Sequence, residues 1–270
     1  MNRGAVKCLV INLASASARR EYITRHLAAL GIPFELVAAV DVRSLSAAEL
    51  AANYDRRKAL RYGNDLSLPE IGCALSHLNI YRRMLAADIG HALILEDDAK
   101  LKPETLPVVE KLRRLYPADR EALILLTYIR HYAQRGARPV DDTHLVAEIR
   151  AKHCGGTHGY FITNAAARRM VAALHPVWQV ADQWLQFRAY GIMRARTLVP
   201  YVIGTDTVSE TSSIGNERER VRRLPANRKT IGRFFRRYIN TGLPAYWWRR
   251  IKAAAFNARY NKRLEQPDNF

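Results

Sequence analysis

The chain has 270 residues, and 49% of them are hydrophobic, which is enough to bury one substantial core. Its 43 lysines and arginines exceed its 25 acids and give a formal net charge of +18. This excess indicates a polyanionic partner, either nucleic acid, a nucleotide diphosphate or an anionic membrane surface. The widely spaced Cys8, Cys73 and Cys154 argue against a disulfide framework and a thiolate zinc site, and they favour a reducing compartment.

The first forty residues predict a βαβ unit. The apolar run at 6–13 is typical of a strand that is covered on both faces. A helix should follow, because Ile23, Leu27 and Leu30 have helical spacing and Gly31 stands at a C-terminal cap position. A second strand is predicted at 34–40. Such units build parallel sheets, in which ligands bind at the carboxyl ends of the strands.

Neither a signal peptide nor a membrane span is expected. The run at 6–13 is short and lacks a small-residue cleavage site after it. Apolar runs elsewhere stay well below the roughly 18 residues that a spanning helix needs. The sequence therefore predicts a cytoplasmic protein.

Alternating helices and strands continue along the chain. Ser67 and Glu70 have the spacing of a capping box, which predicts the start of a long helix with an apolar stripe. Short buried strands are predicted at 92–95, 122–126 and 160–163, and a further helix at 182–190. We expect an α/β fold.

The composition changes beyond about residue 215. Residues 216–263 contain 15 lysines and arginines and two acids, interleaved with aromatic residues. We therefore divide the chain into a domain at 1–215 and a basic, mostly helical appendage at 216–270. The appendage suits an anionic membrane surface, with the aromatic side chains at the interface, or a nucleic acid, with the same side chains stacking on bases. The pairing of arginines with aromatic residues favours the membrane.

Three consecutive acids, Glu96, Asp97 and Asp98, follow the strand predicted at 92–95. A divalent cation would relieve the repulsion between them, and carboxylate oxygens favour Mg²⁺ or Mn²⁺. Such an ion could neutralise a leaving nucleoside diphosphate. Acids are also common near helix starts, and a helix is expected after Pro103.

This acidic motif, together with the motif from Pro69 to His77, resembles the paired signature of glycosyltransferase family 25. That family includes bacterial lipooligosaccharide β-1,4-galactosyltransferases and collagen galactosyltransferases. Shorter matches occur at 11–13, 19–20, 39–41 and 156–160, so the similarity runs from about residue 6 to about 214. The resemblance implies a GT-A type, Rossmann-like fold, an inverting transfer, a divalent metal and a UDP-sugar donor, with UDP-galactose the best match.

The resemblance also assigns roles to individual residues. Glu96 and Asp98 would bind the metal, and Asp97 between them would belong to the catalytic machinery. The residues matching the nucleotide end of the crevice are Asn12, Arg19 and Asp41. Val42 and Arg43 stand where a common family pattern has glycine, so the shape of this nucleotide loop departs from that pattern.

Asp182 matches a downstream acidic position and is our candidate for the base that deprotonates the acceptor hydroxyl. As an aspartate before an apolar stretch, it could equally be a helix N-cap. His158 and Glu210 are weaker candidates for the base. His77 is either a structural helix residue or a substrate contact, and the glycine-rich loop with Gly156, Thr157 and His158 is assigned to the sugars.

These assignments predict an enzyme on the cytoplasmic face of the inner membrane that glycosylates a lipid-linked lipooligosaccharide or lipopolysaccharide acceptor. We expect no nucleic-acid partner. Two other classes suit the acids and the basic charge: a metal-dependent phosphoesterase such as a nuclease, and a nucleic-acid-binding protein whose acidic motif is structural. Removal of the acidic motif would abolish the function of both enzyme classes and spare that of the nucleic-acid-binding protein.

Overall fold

A computed structural model describes residues 5–150 and 154–205, together with the backbone of 261–263. Eleven strands and seven helices lie in these ranges. In chain order they are β1 (Lys7–Asn12), α1 (Ser17–Ala29), β2 (Phe34–Ala38), a 3₁₀ turn (Val42–Ser44), α2 (Ala47–Asn53), α3 (Arg56–Arg61), α4 (Leu68–Ala86), β3 (His91–Glu96), β4 (Ala99–Leu101), α5 (Thr105–Leu115), β5 (Leu123–Leu125), β6 (His131–Pro139), β7 (Leu145–Ile149), β8 (Gly159–Thr163), α6 (Asn164–Leu174), α7 (Trp184–Ala189), β9 (Arg196–Val199), β10 (Ile203–Thr205) and β11 (Asn261–Arg263).

Nine strands form one mixed sheet in the order β11-β6-β7-β9-β5-β8-β3-β1-β2, and β4 pairs separately with β10. Strand β1 runs parallel to both β2 and β3, which confirms the predicted βαβ unit. Strand β8 lies antiparallel between β3 and β5. The fold is therefore α/β, with an antiparallel strand at the centre of the sheet.

Helices cover both faces of the sheet, because alternate residues of the central strands point to opposite sides. Leu9 and Ile11 of β1 belong to the core formed with α4, α6 and α7. Cys8 and Val10 belong to the opposite core, formed with α1 and α5. Full burial of one such aliphatic side chain is worth about 1.5–3 kcal/mol. The continuous apolar run predicted at 6–13 is thus explained by burial on both faces.

Helix α4 begins as the capping box predicts. The Glu70 carboxylate accepts hydrogen bonds from the amide and hydroxyl of Ser67 at 2.9 and 3.0 Å. Two residues later the helix touches the segment after β2, where a Cβ on Gly72 would lie 2.7 Å from the carbonyl oxygen of Val40. Ser76 fixes the same segment by accepting a 2.8 Å hydrogen bond from the Val40 amide. These contacts place the helix against the sheet.

Most of the predicted appendage at 216–270 lies outside the described residues. Its residues 261–263 form β11, which pairs antiparallel with β6 at the edge of the main sheet. Among the helices that the structure describes, none combines the length and the apolar character needed to cross a bilayer. None of Cys8, Cys73 and Cys154 forms a disulfide, as their spacing predicts.

Candidate functional site

The candidate site lies where β1 and β3 end side by side. Asn12 is the last residue of β1 and Glu96 the last of β3, and Ile11 is in register with Glu96. The carboxyl ends of parallel strands open a crevice at this edge. Asp97 and Asp98 follow directly, so the acidic motif enters the crevice as the sequence predicts.

Asp97 is held by two neighbours from the first βα segment. Its carboxylate accepts a 2.8 Å hydrogen bond from Asn12 Nδ2 and forms a 3.3 Å ion pair with Arg19 Nη1. Asn12 is itself oriented by Arg20, whose Nε donates to Asn12 Oδ1 at 2.9 Å. Burial raises the pKa of Asp97, against the lowering effect of Asn12 and Arg19. The predicted residues Asn12, Arg19 and Asp97 therefore form one polar unit.

Glu96 is held by α4 and by the loop before β8. His77 Nε2 lies 3.3 Å from Glu96 Oε1, and the Thr157 hydroxyl makes a very short hydrogen bond to the same oxygen. Burial would raise the pKa of Glu96, but the contacts with His77 and Thr157 hold that pKa below its ordinary value. Glu96 is thus an ionised carboxylate in a fixed orientation, with its Oε1 engaged by two donors.

A buried chain of hydrogen bonds continues behind His77. Its Nδ1 lies 2.7 Å from the Tyr160 hydroxyl, which lies 2.7 Å from the Tyr81 hydroxyl. One assignment of hydrogens satisfies every contact: Tyr81 donates to Tyr160, Tyr160 donates to His77 Nδ1, and His77 Nε2–H donates to Glu96. These hydrogen bonds therefore fix the orientation of the His77 ring and, through it, that of the Glu96 carboxylate.

Asp98 is the member of the acidic motif whose hydrogen bonding is incomplete. Its Oδ1 is buried without a hydrogen-bond partner among the described residues. Burial, together with the charges of Glu96 and Asp97, raises the pKa of Asp98 to about 6. A buried carboxylate oxygen without a donor is costly, and a bound cation would remove that cost. Its chemistry suits a hard divalent ion such as Mg²⁺ or Mn²⁺.

A second set of potential ligands overlaps this motif. Cys73, His77 and Glu96 place one ligand atom each within 4.8 Å of one another, and this is the one such group found in the part of the chain described here. A thiolate and an imidazole favour softer ions than an all-oxygen set does. Glu96 belongs to this group, whereas Asp98 lies outside it.

Asp182 is placed by the glycine-rich loop rather than by a helix cap. Helix α7 has Gln183 at its N-cap, whereas the Asp182 carboxylate accepts a 3.1 Å hydrogen bond from the Gly156 amide. A Cβ on Gly155 would lie 2.8 Å from Asp182 Oδ2, so glycine permits this approach. The other oxygen, Oδ1, is buried without a hydrogen-bond partner in the described ranges. Asp182 Oδ1 thus keeps unused hydrogen-bond acceptor capacity beside the glycine-rich loop.

His158 connects the Asp182 side of the site with the acidic motif. Its carbonyl oxygen accepts a 3.2 Å hydrogen bond from the Glu96 amide. Burial lowers the pKa of His158, while the charges of Glu96 and Asp182 act in the opposite direction. This neutral imidazole lies close enough to both carboxylates to feel their charge, so the two halves of the site adjoin.

Asp41 is the predicted site residue that makes no described contact with the others. It is partly exposed, lies beyond the end of β2 and forms a 2.8 Å ion pair with Arg43. The hydrogen bonds from Arg43 lower the pKa of Asp41. The turn containing Val42 and Arg43, where the family pattern has glycine, is therefore closed by its own arginine.

Three residues of the site were not predicted as functional. Tyr81 fell in the apolar stripe of α4, Tyr160 in a buried strand, and Cys73 was considered only for disulfides and thiolate zinc. Helical spacing from Cys73 to His77 and Tyr81 was the signal available, since residues four apart share one helix face.

Known proteins provide a comparison for this geometry. The chain is 27% identical over 177 residues to human procollagen galactosyltransferase 2, a match covering 63% of this chain and 28% of that protein. It is 31% identical over 112 residues to a putative glycosyltransferase of Haemophilus influenzae, covering 41% and 38% of the two chains. The chain thus spans less than a third of the length of the collagen-modifying relative.

A solved structure, the A197 protein from STIV, aligns over 72% of this chain and 81% of its own, with 10% identity and a TM-score of 0.38. Residues 5–185 match the family described as glycosyltransferase family 25 (LPS biosynthesis protein). This match covers the acidic motif, α4, the glycine-rich loop and Asp182. The chain therefore belongs to glycosyltransferase family 25.

Proposed function

We propose that this chain is a metal-dependent, inverting glycosyltransferase of GT-A type that moves galactose from UDP-galactose onto a lipooligosaccharide or lipopolysaccharide saccharide. The observation that carries the proposal is the buried, unpartnered Oδ1 of Asp98 beside the ionised Glu96 at the end of β3. Family membership supports glycosyl transfer. The choice of galactose and of the acceptor follows the family resemblance.

Asp98 and Glu96 are the residues that would hold the divalent cation. When bound, such a cation neutralises negative charge on a leaving nucleoside diphosphate. Asp97 has a different task in this scheme: it orients Asn12 and Arg19, which border the same crevice. Part of the Arg19 guanidinium stays exposed, so it can donate to a diphosphate oxygen while the ion pair persists.

Asp182 is the proposed general base. In an inverting displacement, the base removes the proton of the acceptor hydroxyl on the face opposite the leaving group. The Gly156 amide holds one oxygen of Asp182, and the second oxygen would accept the proton. Thr157 and His158 lie between this carboxylate and the acidic motif, where the transferred sugar would sit.

The basic appendage is proposed to bring this site to its acceptor. A lipid-linked saccharide lies at a membrane surface, and arginines with neighbouring aromatic residues suit anionic headgroups. We therefore propose that the enzyme acts on the cytoplasmic face of the inner membrane. Vesicle binding by the full chain and by a chain ending at Gly215 tests the proposal, and equal binding by both would contradict it.

Donor hydrolysis by the full chain tests the function before any acceptor is known. We expect slow release of UDP from UDP-galactose in the presence of Mn²⁺, and much less from UDP-glucose, UDP-GlcNAc or UDP-GalNAc. Chelation of the metal should abolish the release, because the leaving diphosphate would lose its charge stabilisation. Turnover of none of the four donors would refute the galactosyltransferase assignment.

Replacing Tyr160 with phenylalanine should weaken metal binding, although Tyr160 is not itself a proposed metal ligand. The substitution removes the donor to His77 and leaves the Tyr81 hydroxyl without its partner, which should cost about 1–3 kcal/mol of unfolding free energy. Because Glu96 loses its fixed orientation, the Mn²⁺ concentration for half-maximal donor hydrolysis should rise about tenfold.

The matched control is Tyr81→Phe. It removes the last hydroxyl of the hydrogen-bond series and leaves the Tyr160–His77 contact intact. This variant should keep the wild-type Mn²⁺ requirement. An unchanged requirement in Tyr160→Phe as well would show that the tyrosines only fill the core.

A further inference from the structure

Three arginines pair with a single carboxylate at a distance from the candidate site, and a fourth, Arg150, lies nearby. Arg194 Nε lies 2.9 Å from Glu148 Oε1, Arg196 Nε lies 3.5 Å from the same atom, and Arg188 Nη1 lies 3.6 Å from Oε2. Burial, together with the charges of Arg188 and Arg194, lowers the pKa of Arg150. Within the described residues, Glu148 is the only acid paired with Arg188, Arg194 or Arg196.

This cluster lies at the opposite edge of the sheet from the acidic motif. Glu148 on β7 is in register with Arg196, the first residue of β9. Strand β9 runs parallel to β5, and β5 runs in the same direction as β3 because β8 is antiparallel to both. Arg196 and the nearby Arg194 therefore lie where these strands begin, whereas Glu96 lies where β3 ends.

The cluster carries more positive charge than its structural role requires. One arginine is enough to neutralise Glu148, and a carboxylate has about four acceptor positions, against five donors on each guanidinium. Arg194 and Arg196 both use Nε toward Glu148, and no described hydrogen bond involves their terminal nitrogens. Their side chains are 58% and 39% exposed, so these terminal nitrogens are accessible to a ligand.

A cavity provides the space for such a ligand. Arg194 and Arg196 line an opening of about 170 Å³ together with Met193 and the first residues of β5. Glu121 also lines it, but that carboxylate pairs with Arg169 at 3.3 Å, which offsets its charge. The walls thus combine an apolar floor with two exposed guanidinium groups.

We propose that Arg194 and Arg196, which line this cavity, form a binding site for a phosphate group, with Arg188 behind them on the shared Glu148 carboxylate. The planar donor sets of arginine match phosphate oxygens in pairs, and the partly buried setting strengthens each contact. Glu148 holds the three guanidinium groups side by side and competes with the ligand for them. This site is separate from the proposed transfer reaction, and its chemistry holds whichever sugar the chain transfers.

Titration of the full chain with inorganic phosphate, in metal-free buffer at low ionic strength, tests the proposal. Arg194→Gln should weaken phosphate binding at least about tenfold, because it removes charged donors from the site. Glu148→Gln should tighten binding, because it removes the competing carboxylate. The control is Arg25→Gln, which removes an exposed charge from α1, where Arg25 pairs with Glu21. Equal binding by the Arg194 and Arg25 variants would overturn the proposal.

Vesicles with an anionic phospholipid identify the source of the phosphate group. Weaker vesicle binding by Arg194→Gln than by Arg25→Gln would assign the site to lipid headgroups. Unchanged vesicle binding, with phosphate binding lost, would assign it to a soluble phosphate ester. If Glu148→Gln fails to fold, the comparison of the two arginine variants still decides the outcome, since Arg194 is largely exposed.

Discussion

Replacement of Asp98 with asparagine is expected to reduce Mn²⁺-dependent release of UDP from UDP-galactose by about 100- to 1,000-fold. The amide keeps the size of the side chain but removes the charge that would bind the cation. Raising the Mn²⁺ concentration should not restore the rate. Steady-state donor hydrolysis over a series of Mn²⁺ concentrations measures this effect.

The same variant should fold at least as well as the wild type when metal is chelated. Burial raises the pKa of Asp98 from 3.8 to about 6, so its ionised form destabilises the folded chain. This penalty is absent below pH 3.8 and fully present above pH 6, where it is on the order of 3 kcal/mol. The stability advantage of Asp98→Asn should therefore grow as the pH rises from 4 to 6.

Asp119→Asn is the control for both measurements, because Asp119 is an exposed carboxylate before β5, at the other edge of the sheet. It should leave donor hydrolysis unchanged. If the Asp98 variant is inactive and unfolds at a lower temperature than this control, the substitution has damaged the structure. If the Asp98 variant stays active, Asp98 is not a metal ligand.

Two substitutions of Asp182 are expected to distinguish a role as the general base from a role in anchoring the glycine-rich loop. If Asp182 is the base, both Asp182→Asn and Asp182→Ala should lower the rate of transfer to an acceptor by about 100- to 10,000-fold. The KM for the donor should stay within a few-fold of the wild type, because Asp182 makes no contact with the acidic motif. Initial rates with a lipooligosaccharide acceptor measure both quantities.

An anchoring role would give a different pattern. The amide oxygen of asparagine can still accept the hydrogen bond from the Gly156 amide, whereas alanine cannot. Retention of activity in Asp182→Asn, with loss only in Asp182→Ala, would therefore assign Asp182 to loop positioning. The base would then have to be sought elsewhere, beginning with His158.

The sequence predicted those elements that combine a strong pattern with burial. Strands β1 and β3 are continuous apolar runs in the middle of the sheet. Helix α4 was predicted from its capping box and stripe, and α1 from Ile23 and Leu27, which are both fully buried. Gly31 adopts the expected positive φ, at 64°. Local signals and tertiary packing agree at each of these places.

The elements that escaped prediction have weak or ambiguous patterns. Helix α2 buries none of its residues, so it shows no apolar stripe. Strand β6 is largely exposed and contains Gly136, which obscures any alternation. Strands β4 and β10 have three residues each, too few to establish a period. Their pairing depends on contacts between distant parts of the chain.

The sequence predicted most residues of the site but not the hydrogen bonds and ion pairs between them. The acidic motif, Asn12, Arg19, His77 and the glycine-rich loop all meet at one edge of the sheet. In the described structure Asp97 is paired, whereas Asp98 has an oxygen without a hydrogen-bond partner. This difference depends on the directions of the side chains, which three consecutive acids in a sequence do not reveal. Tyr160 showed only the pattern of a buried strand, because its hydroxyl partner lies on a different element.

The antiparallel direction of β8 has a consequence for how new specificities could arise. Because β8 is antiparallel to β3, it starts at the end of the sheet where β3 finishes. The loop that precedes β8 therefore lies beside the acidic motif that follows β3. That loop carries Thr157 and His158, whereas the carboxylates proposed to bind the metal follow the end of β3. Insertions or exchanges in the loop could therefore retarget the enzyme to other saccharides while its donor chemistry is inherited unchanged.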